Sequence, residues 1–360
     1  MKIGIFCIFD HWPQVNTVAQ YFQQFLDIVE RADDLGFDSA WISEHHFTRY
    51  GGILPRPQVL LGAMAARTKR IRLGTAVSLV PFDNPIRVAE DFALVDVLSN
   101  GRLDFGAGRG LFAFEYDGMG ISQNESRQRF EENTEVILRA WQEERLTFAG
   151  QFTNVTDLSV LPRPVQKPHP PLYVAALSPE SYEWAARKGY NILQVPYPLP
   201  FEVTQGQIAQ YKANLQKHGY SVKDKEVIVL LHGYIGETAQ QAKAEAEGPL
   251  MDYVGLVASL MPTKVKSDQY KAYTQFAPTV KALTYEVLYN ERTLIGDPDQ
   301  AIAKLEHLQR EFQMDQFIFF LNWGRMDHQH TVRSMERFAK YVLPHFQKNA
   351  VPTEKVRASA

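Results

Sequence analysis

Glu44, His45 and His46 stand in the stretch WISEHHF, residues 41–47, immediately after a run of apolar residues with strand character. An imidazole titrates near neutrality, so one of these rings, facing a cavity, can accept or hold a proton at physiological pH. Successive side chains of an extended segment point to opposite sides, which argues against both histidines ligating one metal ion. A second group is FGAGRG, residues 105–110. Its glycines let a backbone approach a ligand closely, and the Arg109 guanidinium suits bidentate contact with a phosphate. The glycines alternate instead of following G-x-G-x-x-G, and the segment is the fourth apolar strand of the chain, so it does not meet the dinucleotide fingerprint. A plain glycine turn is the other reading. In LSPESYEW, residues 177–184, Ser178 and Pro179 mark a helix start whose free N–H groups and dipole favour an anion. The Ser178 and Ser181 hydroxyls can add donors, provided that Glu180 faces solvent. Alone this is an ordinary capped helix; beside Arg109 it becomes a phosphate pocket. The HQH stretch at 328–330 follows Asp327 and reads as polar residues at a helix start, with no metal implied.

These groups need a scaffold that brings distant segments together. Apolar stretches predict strands at 3–8, 37–43, 71–79, 103–107, 172–176, 191–195, 227–235 and 316–321. Helical patterns separate most of them: 17–35 with Gly36 as C-cap, 57–67, 85–98 behind Asn84 and Pro85, about 124–144, a helix from Ser178, and 298–313. A β-like excursion covers 147–160, and a proline-rich connector follows it. Strict alternation over eight units predicts a parallel (β/α)8 TIM barrel with insertions, in one domain over 1–348. The stretch at about 249–293 is expected to be an insertion at the active face, either a lid or a packing element, and 349–360 a flexible tail. In such barrels the chemistry lies at the strands' C-terminal ends, where the three groups fall.

Composition narrows the function classes. The chain has 360 residues, 45% apolar and 22% charged, with a formal net charge of −3, an ordinary globular balance without the basic patch of a nucleic-acid binder. Its apolar N-terminal stretch is interrupted by Asp10 and His11, too early for a membrane span or signal segment, so a cytoplasmic protein is expected. The single cysteine, Cys7, reads as a small apolar residue of a strand.

WISEHHF, LGTAVSLVP with NPIRVAEDFALVDVLSNGRLDFGAGRGL, and PLYVAALSPESYEWAARKG together resemble the bacterial luciferase-like flavin monooxygenases, above all the catalytic chain of bacterial luciferase. The similarity runs from residue 1 to about 189 and returns in GDPDQAIAKL, 296–305. It implies a barrel that binds reduced FMN supplied by a separate flavin reductase. That flavin would react with O2 to give a C4a-hydroperoxide and oxygenate a small organic substrate such as an aldehyde. By resemblance, His45 is the catalytic residue, and Arg109, Ser178 and Ser181 are phosphate ligands with Gly110 and Leu111 in the phosphate loop. Glu44 and Leu177 are further cofactor-binding positions, and Ala76 and Val77 form a non-prolyl cis peptide beside the flavin ring. Phe6, Phe47, Phe112 and Phe114 are the expected walls of an apolar substrate pocket. Gly108 stands where luciferase has a reactive cysteine and Leu177 where it has a carboxylate, which argues against light emission. A homodimer through 57–67 and 85–98 is also implied. A deazaflavin-dependent oxidoreductase and a non-catalytic flavin-binding or subunit-stabilising protein are the alternatives.

Overall fold

Strands buried on both faces must be apolar on both, and that is how eight segments of this chain read. In the computed structural model, which describes residues 1–261, 265 and 267–347, they are β1 (Lys2–Cys7), β2 (Ser39–Ile42), β3 (Arg72–Thr75), β4 (Leu103–Gly108), β5 (Leu172–Ala175), β6 (Asn191–Gln194), β7 (Val227–Ile235) and β8 (Gln316–Asn322). In β7, VIVLLHGYI, every position is buried. Each strand pairs in parallel with the next in the chain, and β8 closes the ring by pairing with β1, Lys2 opposite Gln316. The predicted (β/α)8 barrel forms.

The outer helices are α1 (Val18–Leu35), α2 (Pro57–Arg67), α3 (Pro85–Leu98), α4 (Ser126–Gln142), α5 (Pro179–Lys188), α6 (Phe201–Lys217), α7 (Ala239–Leu260), α8 (Pro298–Phe312) and α9 (His328–Arg337). Their ends follow local chemistry. Thr17 and Gln20 form a capping box at the start of α1, and Gly36, at φ 94°, closes it by donating to the Ala32 and Asp33 carbonyls. Asn84 accepts from the Ile86 and Arg87 N–H groups ahead of α3, with Pro85 at its first position. At the opposite end of the barrel from the βα loops, Arg72 grips Asp104 at 2.6 Å and Tyr173 donates to Glu226 at 2.8 Å.

Several elements differ from the sequence reading. The strand expected over 71–79 breaks at the non-prolyl cis Ala76–Val77 peptide, the bond that the resemblance implied, and resumes at Ser78–Leu79, which pairs with Ala107 and Gly108. The excursion at 147–160 is an antiparallel hairpin, Leu146–Ala149 with Asn154–Leu158. α6 was not expected. The stretch at 249–293 begins inside α7, which runs unbroken through Pro249, and it leads into a short strand, Leu294–Gly296, paired with the end of β7. The tail expected at 349–360 lies outside the described residues. Cys7 is buried, its thiol 3.2 Å from the Tyr21 hydroxyl, and burial pushes its pKa up to about 12. Among the described residues no helix is long and apolar enough to cross a membrane.

Candidate active site

The C-terminal ends of the strands surround a cavity of about 200 Å3. Phe6 of β1, Gly108 of β4, Ala175 of β5, Leu230 of β7 and Phe320 of β8 line it directly, and residues just past β2, β3 and β6 complete the ring. Both His45 and Arg109 open onto this one space.

His45 is held by a residue the sequence reading missed. Its Nδ1 lies 3.0 Å from Oε1 of Glu115, and the same oxygen accepts the His46 backbone N–H at 2.9 Å. Glu115 comes from the helical turn Ala113–Gly118 after β4 and is fully buried, its Oε2 without a partner. A carboxylate there takes the hydrogen of Nδ1 and leaves Nε2 as the ring atom with a free lone pair. The imidazole packs against the rings of Tyr50, 4.9 Å away, and Phe112, 5.7 Å away, which touch each other edge to face at 6.0 Å. Glu44 also lines the cavity, but its carboxylate is engaged by the Ser78 hydroxyl (2.8 Å), the Leu79 N–H (3.0 Å) and His46 Nε2 (3.2 Å). Its work is to tie the end of β2 to the segment that follows the cis peptide. His46 turns to Glu44 while His45 turns to Glu115, so the two rings diverge.

The second end of the cavity is a collection of donors. The Arg109 guanidinium lies 4.4 Å over the ring of Tyr270 and donates through Nη1 to Gln269 at 3.1 Å; its Nη2 is buried with no partner. Ser181 lines the cavity in the first turn of α5. Glu180 is exposed, and its carboxyl is held below the usual range by its own backbone N–H, then by the Ser178 hydroxyl and the charges of Arg127 and Arg109, against the opposing effect of burial. Arg109 therefore acts on the start of α5. An unpaired guanidinium N–H, a hydroxyl and a helix N-terminus suit an anionic group such as a flavin phosphate. Gly110, Leu111 and Leu177 line the same region, and Ala76 and Val77 form an adjoining wall. Gly108 is needed there because a Cβ on it would fall 2.1 Å from Val77 Cγ2.

Three expectations need correction. Ser178 precedes α5 but its hydroxyl makes no capping bond; it pairs with the Ser181 hydroxyl at 3.1 Å. Phe47 is not a pocket wall: the backbone takes φ 60° just past His46, and the ring, 63% exposed, lies over Gly118. Phe114 stacks on the back of Phe112 at 5.2 Å and 13° instead of lining the cavity, where Phe6 and Phe112 do stand. Beyond Glu115, the reading missed Tyr50, Tyr197, Tyr253, Met261 and Tyr273 as lining residues. The one sequence signal was for Glu115, an acid inside the aromatic run FAFEY. The HQH histidines do begin a helix, α9; His330 lies 3.5 Å from Glu245 and 3.4 Å from Asp327.

Comparison with known proteins gives a consistent picture. A family model described as luciferase-like monooxygenase matches residues 1–313. The oxygenase component of flavin-dependent trigonelline monooxygenase from Acinetobacter baylyi is 27% identical, over 100% of this chain and 99% of its own length. Limonene 1,2-monooxygenase from Rhodococcus erythropolis is 28% identical, over 95% of this chain and 86% of its own. Among solved structures, the monooxygenase RslO1 from Streptomyces bottropensis superposes with a TM-score of 0.84 at 31% identity, covering 96% of this chain and 100% of that one. The oxygenating constituent of 3,6-diketocamphane monooxygenase from Pseudomonas putida, solved with FMN, shares the fold with a TM-score of 0.81 at 20% identity, covering 98% and 99%.

Proposed function

We infer that this chain, which belongs to the luciferase-like monooxygenase family, is the oxygenase component of a two-component system. In this reading it receives reduced FMN from a separate flavin reductase and uses O2 to oxygenate a small organic substrate with an electrophilic carbonyl, in the cytoplasm. The observation that carries the reading is one cavity with a donor-rich end at Arg109 and Ser181 and an imidazole, His45, opening onto the same space. The relatives' descriptions as an oxygenase component and as a protein solved with FMN support it.

Arg109, Ser181 and the N-terminus of α5 would hold the flavin phosphate, while Ala76, Val77 and Gly108 would flank its ring. Reduced flavin, when bound, supplies the electrons and the oxygen-activating chemistry. Through Nε2, His45 takes or holds the proton that moves as oxygen is transferred, with Glu115 fixing the ring's orientation. Glu44 keeps the loops beneath it in place. Apolar walls exclude water from the reacting atoms. Tyr253, Met261 and Tyr273 belong to the stretch 249–293 and face the cavity, which supports a lid role for that stretch.

Purified protein titrated with FMN should quench flavin fluorescence as a phosphate-bearing ligand binds, and riboflavin should bind at least tenfold more weakly. Arg109→Ala should weaken FMN by about tenfold to a hundredfold and leave riboflavin unchanged. Equal affinity for the two flavins in the wild type would remove Arg109 from phosphate binding, and preference for a deazaflavin would favour hydride transfer over oxygenation.

A homodimer through α2 and α3 is part of the same proposal. Val59, Leu94 and Leu98 on those helices are 72%, 47% and 57% exposed, an apolar surface suited to a second copy. Leu98→Glu should shift the mass measured by light scattering from two chains to one; a wild-type monomer would end the idea.

A further inference from the structure

Three phenol groups from distant parts of the chain meet on one wall of the cavity. Tyr50 follows β2, Tyr197 follows β6, and Tyr253 comes from α7; all three line the space. The Tyr50 and Tyr253 hydroxyls are 3.3 Å apart, and the ring of Tyr197 lies 6.1 Å from that of Tyr253. Tyr50 stands against His45, with ring centres 4.9 Å apart. Burial raises the pKa of each tyrosine above its ordinary value, so all three remain protonated phenols.

Counting hydrogens decides what this cluster can do. Three hydroxyls carry three hydrogens and the one bond among them, between Tyr50 and Tyr253, consumes one, which leaves at least one O–H without an acceptor among the described residues. His232, whose ring lies 4.8 Å from Tyr197 and 4.5 Å from Tyr253, does not take it, because both its nitrogens are unpartnered. A group of hydroxyls with hydrogen to spare calls for an acceptor in the cavity, and a carbonyl oxygen supplies one. The neighbouring surfaces are ring faces and edges: Phe6 and Phe320 meet edge to face at 4.8 Å, and Phe112 and Tyr273 add two more rings. Such walls complement a flat ring system better than a flexible chain, which would lose rotational freedom on binding.

We propose that the Tyr50, Tyr197 and Tyr253 cluster is the docking point for the substrate's carbonyl oxygen, and that the substrate is a ring-bearing ketone and not a straight-chain aldehyde. This rests on the oxygenase reading of the same cavity. It is tested by calorimetric titration of the protein, with and without saturating FMN, against 1-tetralone, tetralin (the same skeleton without the carbonyl) and the linear 2-decanone. The expected result is that tetralone binds about tenfold more tightly than either of the others. Tyr197→Phe and Tyr253→Phe should each lower tetralone affinity about tenfold while tetralin affinity stays the same. Absence of tetralone binding, equal binding of tetralone and tetralin, tighter binding of 2-decanone, or equal losses for both bicyclic ligands in the phenylalanine variants would overturn the proposal. Failure of the wild type to bind FMN would instead overturn the flavin reading, and the titrations on flavin-free protein would still decide the role of the tyrosines.

Discussion

His45 presents one nitrogen to a buried carboxylate and keeps the other free of any protein partner among the described residues, and the proposed proton role rests on that division. A group that only filled space would tolerate truncation, whereas one that moves or holds a proton would not. His45→Ala should therefore keep FMN affinity within about threefold and reduce product formation at least about a hundredfold in an assay coupled to a flavin reductase. Normal product formation in the variant would remove His45 from the mechanism. His45 and Arg109 were legible in the sequence because strand ends in a barrel converge on one face, and polar residues there have few structural explanations. Glu115 was not legible as a partner, because its contact with His45 spans 70 residues and depends on a helical turn whose position only the closed barrel fixes. Phe47 failed for a related reason. Residue type suggested a wall, but a single positive φ turned the ring outward.

The break after β3 shows how one element shapes the next. Residues 71–79 carry a continuous strand pattern, so periodicity gave no warning of the interruption at Ala76–Val77. The Val77 side chain lies against Gly108 of β4, where no Cβ fits. Gly108→Ala should accordingly destabilise the fold by about 1–3 kcal/mol through overpacking. Adding Val77→Ala should recover part of that loss, since the two positions share one contact and their effects are not additive. Thermal melts of the two single variants and the double variant test this; simple additivity would show that the crowding is relieved elsewhere. Helix ends were more legible than strand interruptions, because Thr17, Gly36 and Asn84 announce helix ends through their own side chains or backbone. The exception is α7, where Pro249 suggested a boundary that packing overrode.

For the molecule as a whole, the decisive event is closure, in which the last strand pairs with the first. Just beyond that seam Asp10, 1% exposed, ties the end of β1 to the turn after β8: its Oδ2 accepts from the Gly324 N–H at 2.7 Å and from Trp12 Nε1 at 2.9 Å. Its Oδ1 has no partner, and burial pushes the carboxyl up to about 7 from an ordinary 3.8, with the two hydrogen bonds opposing that rise and Asp252 adding to it. The folded protein then holds a proton that the unfolded chain releases, so the contribution is complete below about pH 4 and is lost as pH rises through about 7. Its size is at most roughly 4 kcal/mol. Asp10→Asn retains an oxygen for both donors and removes the ionisation. The melting temperature of the wild type relative to Asp10→Asn should fall by about 5 °C between pH 5 and pH 8. A difference that stays constant across that range would mean that the seam does not exchange this proton, and closure would then rest on strand pairing and packing alone.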